Sequence, residues 1–260
     1  AGTVAAVGER VTEHAVGDTV MGIVGGGGYA SRLAVHERQV MPVPSTVGLP
    51  DAAAIPEVFV TAYDALVLQG GLTAGGWALV HAGASGVGTA AIQLVRAVGA
   101  RTIATCSAGK VEACRRLGAD VVVDRGAEDF VEVVQEATGG TGVDVVLDVV
   151  GGDYVPRNLA ACRVGGRIVQ VGVMGGGKAD VPVGVLLSRR ISWIGTVLRS
   201  RPIEEKIAVS RRCRHDLVPL FEQGVLQPVI DRRYPLEEVA AAHEYVASNA
   251  NVGKVLLTLG

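Results

Sequence analysis

The sequence predicts an α/β protein: a doubly wound parallel sheet with flanking helices, plus part of a smaller β-barrel domain. Three observations carry this. From Trp77 onward, apolar runs and helical patterns alternate with short turns between them. Residues are 49% apolar and 19% charged with few aromatics, which suits strands buried on both faces. Residues 1–50 instead hold short β-like runs broken by glycine turns.

The N-terminal runs are Thr3–Val7, Thr19–Val24 and Tyr29–Val35, punctuated by Gly8, Gly17-Asp18 and Gly25–Gly28. They are too few to close a barrel, so missing strands or another chain are expected to cover the edge. The sequence opens at Ala1, without Met and inside a β-pattern, and is expected to be an N-terminally incomplete fragment. The Gly25–Gly28 tetrad reads as a β-turn rather than a phosphate loop, because no helix follows it.

Pro42, Pro44, Pro50 and Pro56 form a stiff connection. Asp51 is the expected N-cap for Ala52–Ala54, and Val58–Leu68 reads as helix up to Gly70-Gly71. Strands are expected near 77–82, 101–105, 120–123, 143–149, 166–171 and 191–197. Helices are expected near 87–98, 110–117, 128–137 and 153–161, giving right-handed crossovers. Residues 202–223 read as helical, followed by Pro228–Arg232, a helix near 236–247 and the strand Lys254–Leu259. That last piece follows six sheet strands, so it is expected to return to the N-terminal domain. The expected segments are 1–55, 56–224 and 225–260.

A net charge of −2 gives no global basic field for nucleic acid. The basic stretch Arg189–Arg214 reads as a solvated helix and cleft rim rather than a nucleic-acid face. Cys106, Cys114, Cys162 and Cys213 are scattered without C-x-x-C spacing, as expected of reduced cytoplasmic thiols rather than a disulfide frame or zinc lobe. No apolar run approaches the roughly 18–20 residues that span a bilayer.

The stretch Trp77–Ala100, WALVHAGASGVGTAAIQLVRAVGA, reads as strand, glycine turn and helix, with G-x-x-G-x-G at Gly83, Gly86 and Gly88. Glycines there let backbone N–H groups approach a pyrophosphate, which the helix N-terminus then attracts. An NAD site carries an acidic residue about 20 positions past the first glycine. Here the strand end reads Ala104-Thr105-Cys106-Ser107-Ala108-Gly109-Lys110, without Asp or Glu. Ser107 and Lys110 stand where a 2′-phosphate would lie, and Arg125 could complete the pocket as a planar fork. That pattern favours NADP(H), although Lys110 and Arg125 also suit ordinary solvated charges.

Taken together, HAGASGVGTAAIQLVRAVGA, CSAGK…LGAD, VGVMGGG at 171–177 and NVGK at 251–254 resemble the zinc-independent quinone oxidoreductases. AVGERVTEHAVGDTVMG and AAAIPEVFVTAYDAL resemble that family's barrel segment and linker helix. The family lies in the medium-chain dehydrogenase/reductase superfamily, near the zeta-crystallin and p53-inducible quinone reductase branches. The resemblance implies a Rossmann domain with a discontinuous GroES-like catalytic barrel, and NADPH-dependent reduction of quinones or α,β-unsaturated carbonyls. It implies that Thr61 touches the nicotinamide carboxamide and that Ser85, Gly86, Val87 and Gly88 cradle the pyrophosphate. Cys106, Ser107, Lys110 and Arg125 then lie at the 2′-phosphate, and Val150 near the adenosine. Gly172, Val173 and Met174 line the nicotinamide end with Thr196, Val197 and Leu198, while Asn251, Gly253 and Lys254 close over the cofactor. The linker helix of the zinc relatives carries a Cys where Pro56-Glu57-Val58-Phe59 stands here, so no metal is expected.

Quinone reduction needs alignment in a water-poor cleft more than proton machinery. His81 therefore reads as a satisfied strand-end histidine, and Asp144 and Asp148 as turn and cap residues. Ile191–Val197 reads as an apolar edge strand that would pair two copies into a homodimer. Two other readings stay open: an enoyl or 2-alkenal reductase, and a catalytically silent NADPH-binding protein.

Overall fold

The computed structural model describes residues 1–259. In chain order the first elements are β1 (Gly2–Thr3), β2 (Thr19–Gly22), β3 (Val40–Pro42), α1 (Leu49–Ala52) and α2 (Pro56–Tyr63), which a π-helical turn, Asp64–Gln69, prolongs. The alternating part runs β4 (Trp77–Val80), α3 (Gly86–Val98), β5 (Arg101–Cys106), α4 (Val111–Arg116), β6 (Val121–Asp124), α5 (Phe130–Ala137) and β7 (Val143–Asp148). It continues through α6 (Tyr154–Ala161), β8 (Cys162–Gln170), α7 (Val183–Ser188) and β9 (Ser192–Gly195). The chain then forms α8 (Ile203–Asp216), α9 (Val218–Glu222), β10 (Ile230–Pro235), α10 (Val239–Ala247) and β11 (Lys254–Thr258).

Two compact units result, one of Thr61–Thr196 and one of residues 1–60 with those from Val197 on. In the first, six parallel strands are ordered β6-β5-β4-β7-β8-β9. One row of the register reads Ile103, Leu79, Val146, Ile168, Trp193. Its first four members are fully buried and join Phe130, Val134 and Leu159 in one core. Strands covered by helices on both faces need apolar residues at successive positions, which is why this part announces itself in the sequence. The expected doubly wound parallel sheet is therefore present.

The π-helical turn departs from the helix expected over Val58–Leu68. Gly70 N–H donates to Ala65 O at 2.9 Å, an i→i+5 bond. A Cβ at Gly70 would stand 2.6 Å from Leu66 O and 2.7 Å from Val145 Cγ1, so glycine permits close packing on β7.

The other unit holds the antiparallel sheet β1-β2-β3 and the parallel pair β10-β11. Pairing is shorter than the N-terminal pattern suggests: β1 covers two residues, and Tyr29–Val35 forms no strand. Tyr29 instead places its hydroxyl 3.1 Å from His243 Nε2. Val40–Pro42 pairs with β2, and Pro42, the first proline of the expected stiff connection, takes the end of that edge. Asp51 does not cap a helix. Helix α1 starts after Gly48 with Pro50 in its first turn, and the Asp51 carboxylate accepts from Arg233 instead.

The compact unit that opens at Thr61 ends at Thr196, ahead of α8. Helices α8 and α9 pack with the N-terminal segment: Phe59 and Phe221 meet edge to face at 4.8 Å, and Thr46 Oγ1 donates to Phe221 O. Glu222 accepts from Ser45 N–H at 2.8 Å, and Arg38 pairs with Glu204 at 3.1 Å.

Candidate functional site

A parallel sheet whose strand order reverses beside its first strand leaves a crevice at the strands' carboxyl ends. Here the reversal falls between β4 and β7. After β4, Ala82 adopts φ +53°, a strained turn, and Gly83 N–H donates to Thr105 O at 2.8 Å. Ser85 then caps α3, its Oγ accepting from Gly88 N–H at 3.0 Å. Helix geometry gives the N–H groups of Gly86 and Val87 no acceptor of their own in that first turn. A Cβ at Gly88 would stand 2.3 Å from Ala82 O, so only glycine lets the helix start this close to the strand.

On the opposite bank, the Asp148 carboxylate ends β7 and folds the following loop. Its Oδ1 accepts from Val150 N–H at 2.6 Å and Gly151 N–H at 3.0 Å. The loop after β8 lies against this one, with Met174 N–H donating to Val149 O and Gly175 N–H to Val150 O. Gly151, at φ +68°, would with a Cβ approach Gly176 O at 2.8 Å. Val173 and Met174 stay exposed above this backbone contact. Thr196, just past β9, donates its hydroxyl to the buried Asp64 at 3.0 Å.

Between the two banks runs a buried polar chain. Asn158 Nδ2 donates to Asp148 Oδ2 at 2.9 Å, and Asn158 Oδ1 lies 2.7 Å from His81 Nε2. Because that amide oxygen only accepts, His81 carries its proton on Nε2 and takes the Thr105 hydroxyl on Nδ1 at 3.1 Å. Burial pushes the His81 imidazole below its ordinary value, with the Asp148 charge acting in the opposite direction. Phe130 and Tyr154 close around the ring at 4.9 and 4.8 Å. His81 is thus a satisfied buried histidine. Asp144 serves the other end of the sheet, accepting from Trp77 N–H and Arg163. The sequence marked His81 and Asp148 singly; Asn158, which joins them, left no signal in spacing.

The remaining candidates fall as follows. Cys106 ends β5 packed in the core, and burial pushes its thiol up. Ser107 precedes the single 3₁₀ turn Ala108–Lys110, and Arg125 N–H donates to Cys106 O at 2.9 Å. The nearby carboxylate Asp124 is engaged by Gly126 N–H at 3.0 Å. Ser85, Gly86, Val87, Gly88, Cys106, Ser107, Lys110, Arg125, Val150, Gly172, Val173, Met174 and Thr196 therefore all stand at or just past carboxyl ends of one sheet. Thr61 opens the same unit, one helical turn before Asp64. Val197, Leu198, Asn251, Gly253 and Lys254 belong to the other unit; there Asn251 Nδ2 donates to Gly253 O at 2.8 Å.

These donors fit a dinucleotide: an uncapped pair of N–H groups at a helix N-terminus, with hydroxyl and cationic groups beyond the second strand. Among the described residues, no three His, Cys, Asp or Glu side chains are grouped so that they could hold a metal ion.

The zinc-binding dehydrogenase family matches residues 86–212. The spectinabilin polyketide synthase system protein NorB of Streptomyces orinoci is 37% identical over 100% of this chain, which spans only 12% of that protein. A solved structure described as CurK enoyl reductase superposes with a TM-score of 0.85 at 29% identity, covering 100% of this chain and 77% of that one. Quinone oxidoreductase-like protein 2 of Bos taurus is 33% identical over 262 residues, covering 99% of this chain and 74% of that protein. With the sheet order, the glycine turn and this coverage in agreement, the chain belongs to the quinone oxidoreductase-like oxidoreductases of the medium-chain dehydrogenase/reductase superfamily.

Proposed function

We propose that this protein is an NADPH:quinone oxidoreductase that works without zinc. The observation that carries the reading is the end of β5, where Ser107 and Lys110 replace the acidic residue that would hold a ribose 2′-hydroxyl. A carboxylate there would repel a 2′-phosphate, whereas a hydroxyl, an ammonium and the Arg125 guanidinium attract it. A reduced nicotinamide supplies the hydride when bound. The protein's part is to grip the diphosphate with Gly86 and Val87 N–H groups and to offer the apolar side chains of Val173 and Met174 to the nicotinamide end. Thr61 and Thr196 orient the carboxamide end. Quinone oxygens take their protons from water, so no acid–base pair is required.

The similarity to an enoyl reductase structure favours a second reading, in which the acceptor is an enoyl or 2-alkenal carbonyl. Turnover with a panel of quinones and enones separates the two; NADPH binding without any turnover would indicate a silent binding protein. Four buried, unbridged thiols favour a reducing, cytoplasmic compartment. The edge strand β9, with Trp193 exposed, favours a homodimer, and light scattering at micromolar concentration showing a monomer would reject it.

The decisive experiment follows oxidation of NADPH and NADH with a quinone present, before and after Lys110→Glu. The expected result is a loss of NADPH preference of about tenfold or more, the scale of one charge-assisted contact. An unchanged ratio would move the phosphate pocket elsewhere.

A further inference from the structure

The hydrogen-bonded side chains Thr105, His81, Asn158 and Asp148 take no part in the proposed reaction, yet they touch both loops that border the crevice. His81 directly precedes the strained Ala82 and Gly83 of one loop, and Asp148 holds Val150 and Gly151 of the other. Asn158, from α6, is the one side chain joining them, and His81, Asn158 and Asp148 are each fully buried. The direction of the chain is forced. Asp148 can only accept, so Asn158 must present its NH₂ there and its carbonyl oxygen to His81.

We propose that Asn158 is a positioning residue for the cofactor: it holds the two loops at the spacing that a dinucleotide diphosphate requires. The inference rests on the dinucleotide reading of residues 83–88. A role confined to core packing would need volume at this position and no particular polarity. The geometry demands polarity: a donor toward Asp148 and an acceptor toward His81, in that order.

Asn158→Asp tests this with little change in volume. The introduced carboxyl still accepts from His81 but meets Asp148 without a hydrogen, unless it binds a proton. The hydrogen-bond partners of Asn158 are Asp148 on β7 and His81 on β4; around the His81 ring stand Tyr154 and Arg157 of α6, the last also paired with Asp129 at 3.2 Å. Burial and the neighbouring carboxylate raise the introduced group above the ordinary carboxylate range. The bridge is therefore intact below that raised value and is lost as pH rises through it.

Dissociation constants for NADPH and NADH are measured by fluorescence titration from pH 5.5 to 8.5. The expected result is affinity close to wild type at the acid end and at least tenfold weaker at the alkaline end, with a flatter profile for the wild type. Matching profiles for the two proteins, within twofold throughout, would overturn the proposal alone. Failure of the wild-type protein to bind either nucleotide would reject the dinucleotide reading beneath it, and the proposal with it. If the variant does not fold, nitrogen chemical shifts of wild-type His81 provide the check. A neutral ring protonated on Nε2 across this range supports the chain; an imidazolium or the Nδ1–H tautomer overturns it.

Discussion

Two glycine-rich stretches, residues 83–88 and 25–28, look comparable on paper and differ in what they demand of the backbone. At Gly83 an added Cβ would lie 2.9 Å from Ala104 Cβ, and at Gly88 2.3 Å from Ala82 O. At Gly26 and Gly27 nothing stands within 4 Å of one, and at Gly25 the nearest atom is Lys206 Nζ at 3.9 Å. The first set lets a strand, a turn and a helix meet at close range. The second lies on an exposed bend outside any strand or helix. Glycine thus serves close approach where both neighbouring elements are packed, and backbone conformation alone where neither is.

The contrast can be broken most severely at Gly88. Gly88→Ala drives a methyl into main-chain atoms that cannot rotate away, and it should cost about 3 kcal/mol in denaturant unfolding while abolishing nucleotide affinity. A loss under about 0.5 kcal/mol would mean that the helix start is looser than described.

The layer beneath the first stretch offers a second test. His81 is buried, whereas His36, nearer the second stretch, is exposed. The lowered value of His81 means that the unfolded chain takes up a proton below its ordinary value of about 6.5 while the native ring stays neutral. Stability should therefore fall as pH drops from about 6.5 toward the lowered value, and be fully retained well above 6.5. Thermal melts at pH 7.5 and 5.5 should show that decline. His81→Gln should reduce the pH dependence, whatever it does to stability itself; an unchanged slope would exclude His81 as its source.

The smallest effects belong to the tetrad. Gly27 sits at φ +71°, so Gly27→Ala should cost about 1 kcal/mol through backbone strain. Gly26→Ala, with open space and no positive φ, should stay within about 0.5 kcal/mol by the same melts. Equal costs at the two positions would show that φ is not what distinguishes them.

Legibility followed the same division. Strands β4 to β8 and helices α3 to α6 could be read in the sequence because each buries an apolar face, which gives the segment a local apolar period; β9, largely exposed, was read from its apolar run alone. The glycine turn at 83–88 was legible from its place between an apolar run and a helical period, whereas the capping of α3 by Ser85 emerged from the structure. The strand at Val40–Pro42 was hidden, because Pro42 and the nearby Pro44 signal a connection and its partner lies about twenty residues earlier. Asp51 carries a capping side chain, yet Gly48 and Pro50 had already set the helix start.

The sequence by itself determined the alternation, the glycine turn and the absence of an acidic residue after β5, since each is a property of neighbours along the chain. Only the tertiary structure decided that residues 197–224 join the N-terminal unit along with the expected C-terminal piece, and that Asn158 stands between His81 and Asp148. Those partners are 77 and 10 positions apart, and Phe59 meets Phe221 across a still longer interval. Such contacts are selected by what else the core must bury and satisfy, and they leave no period along the chain to read.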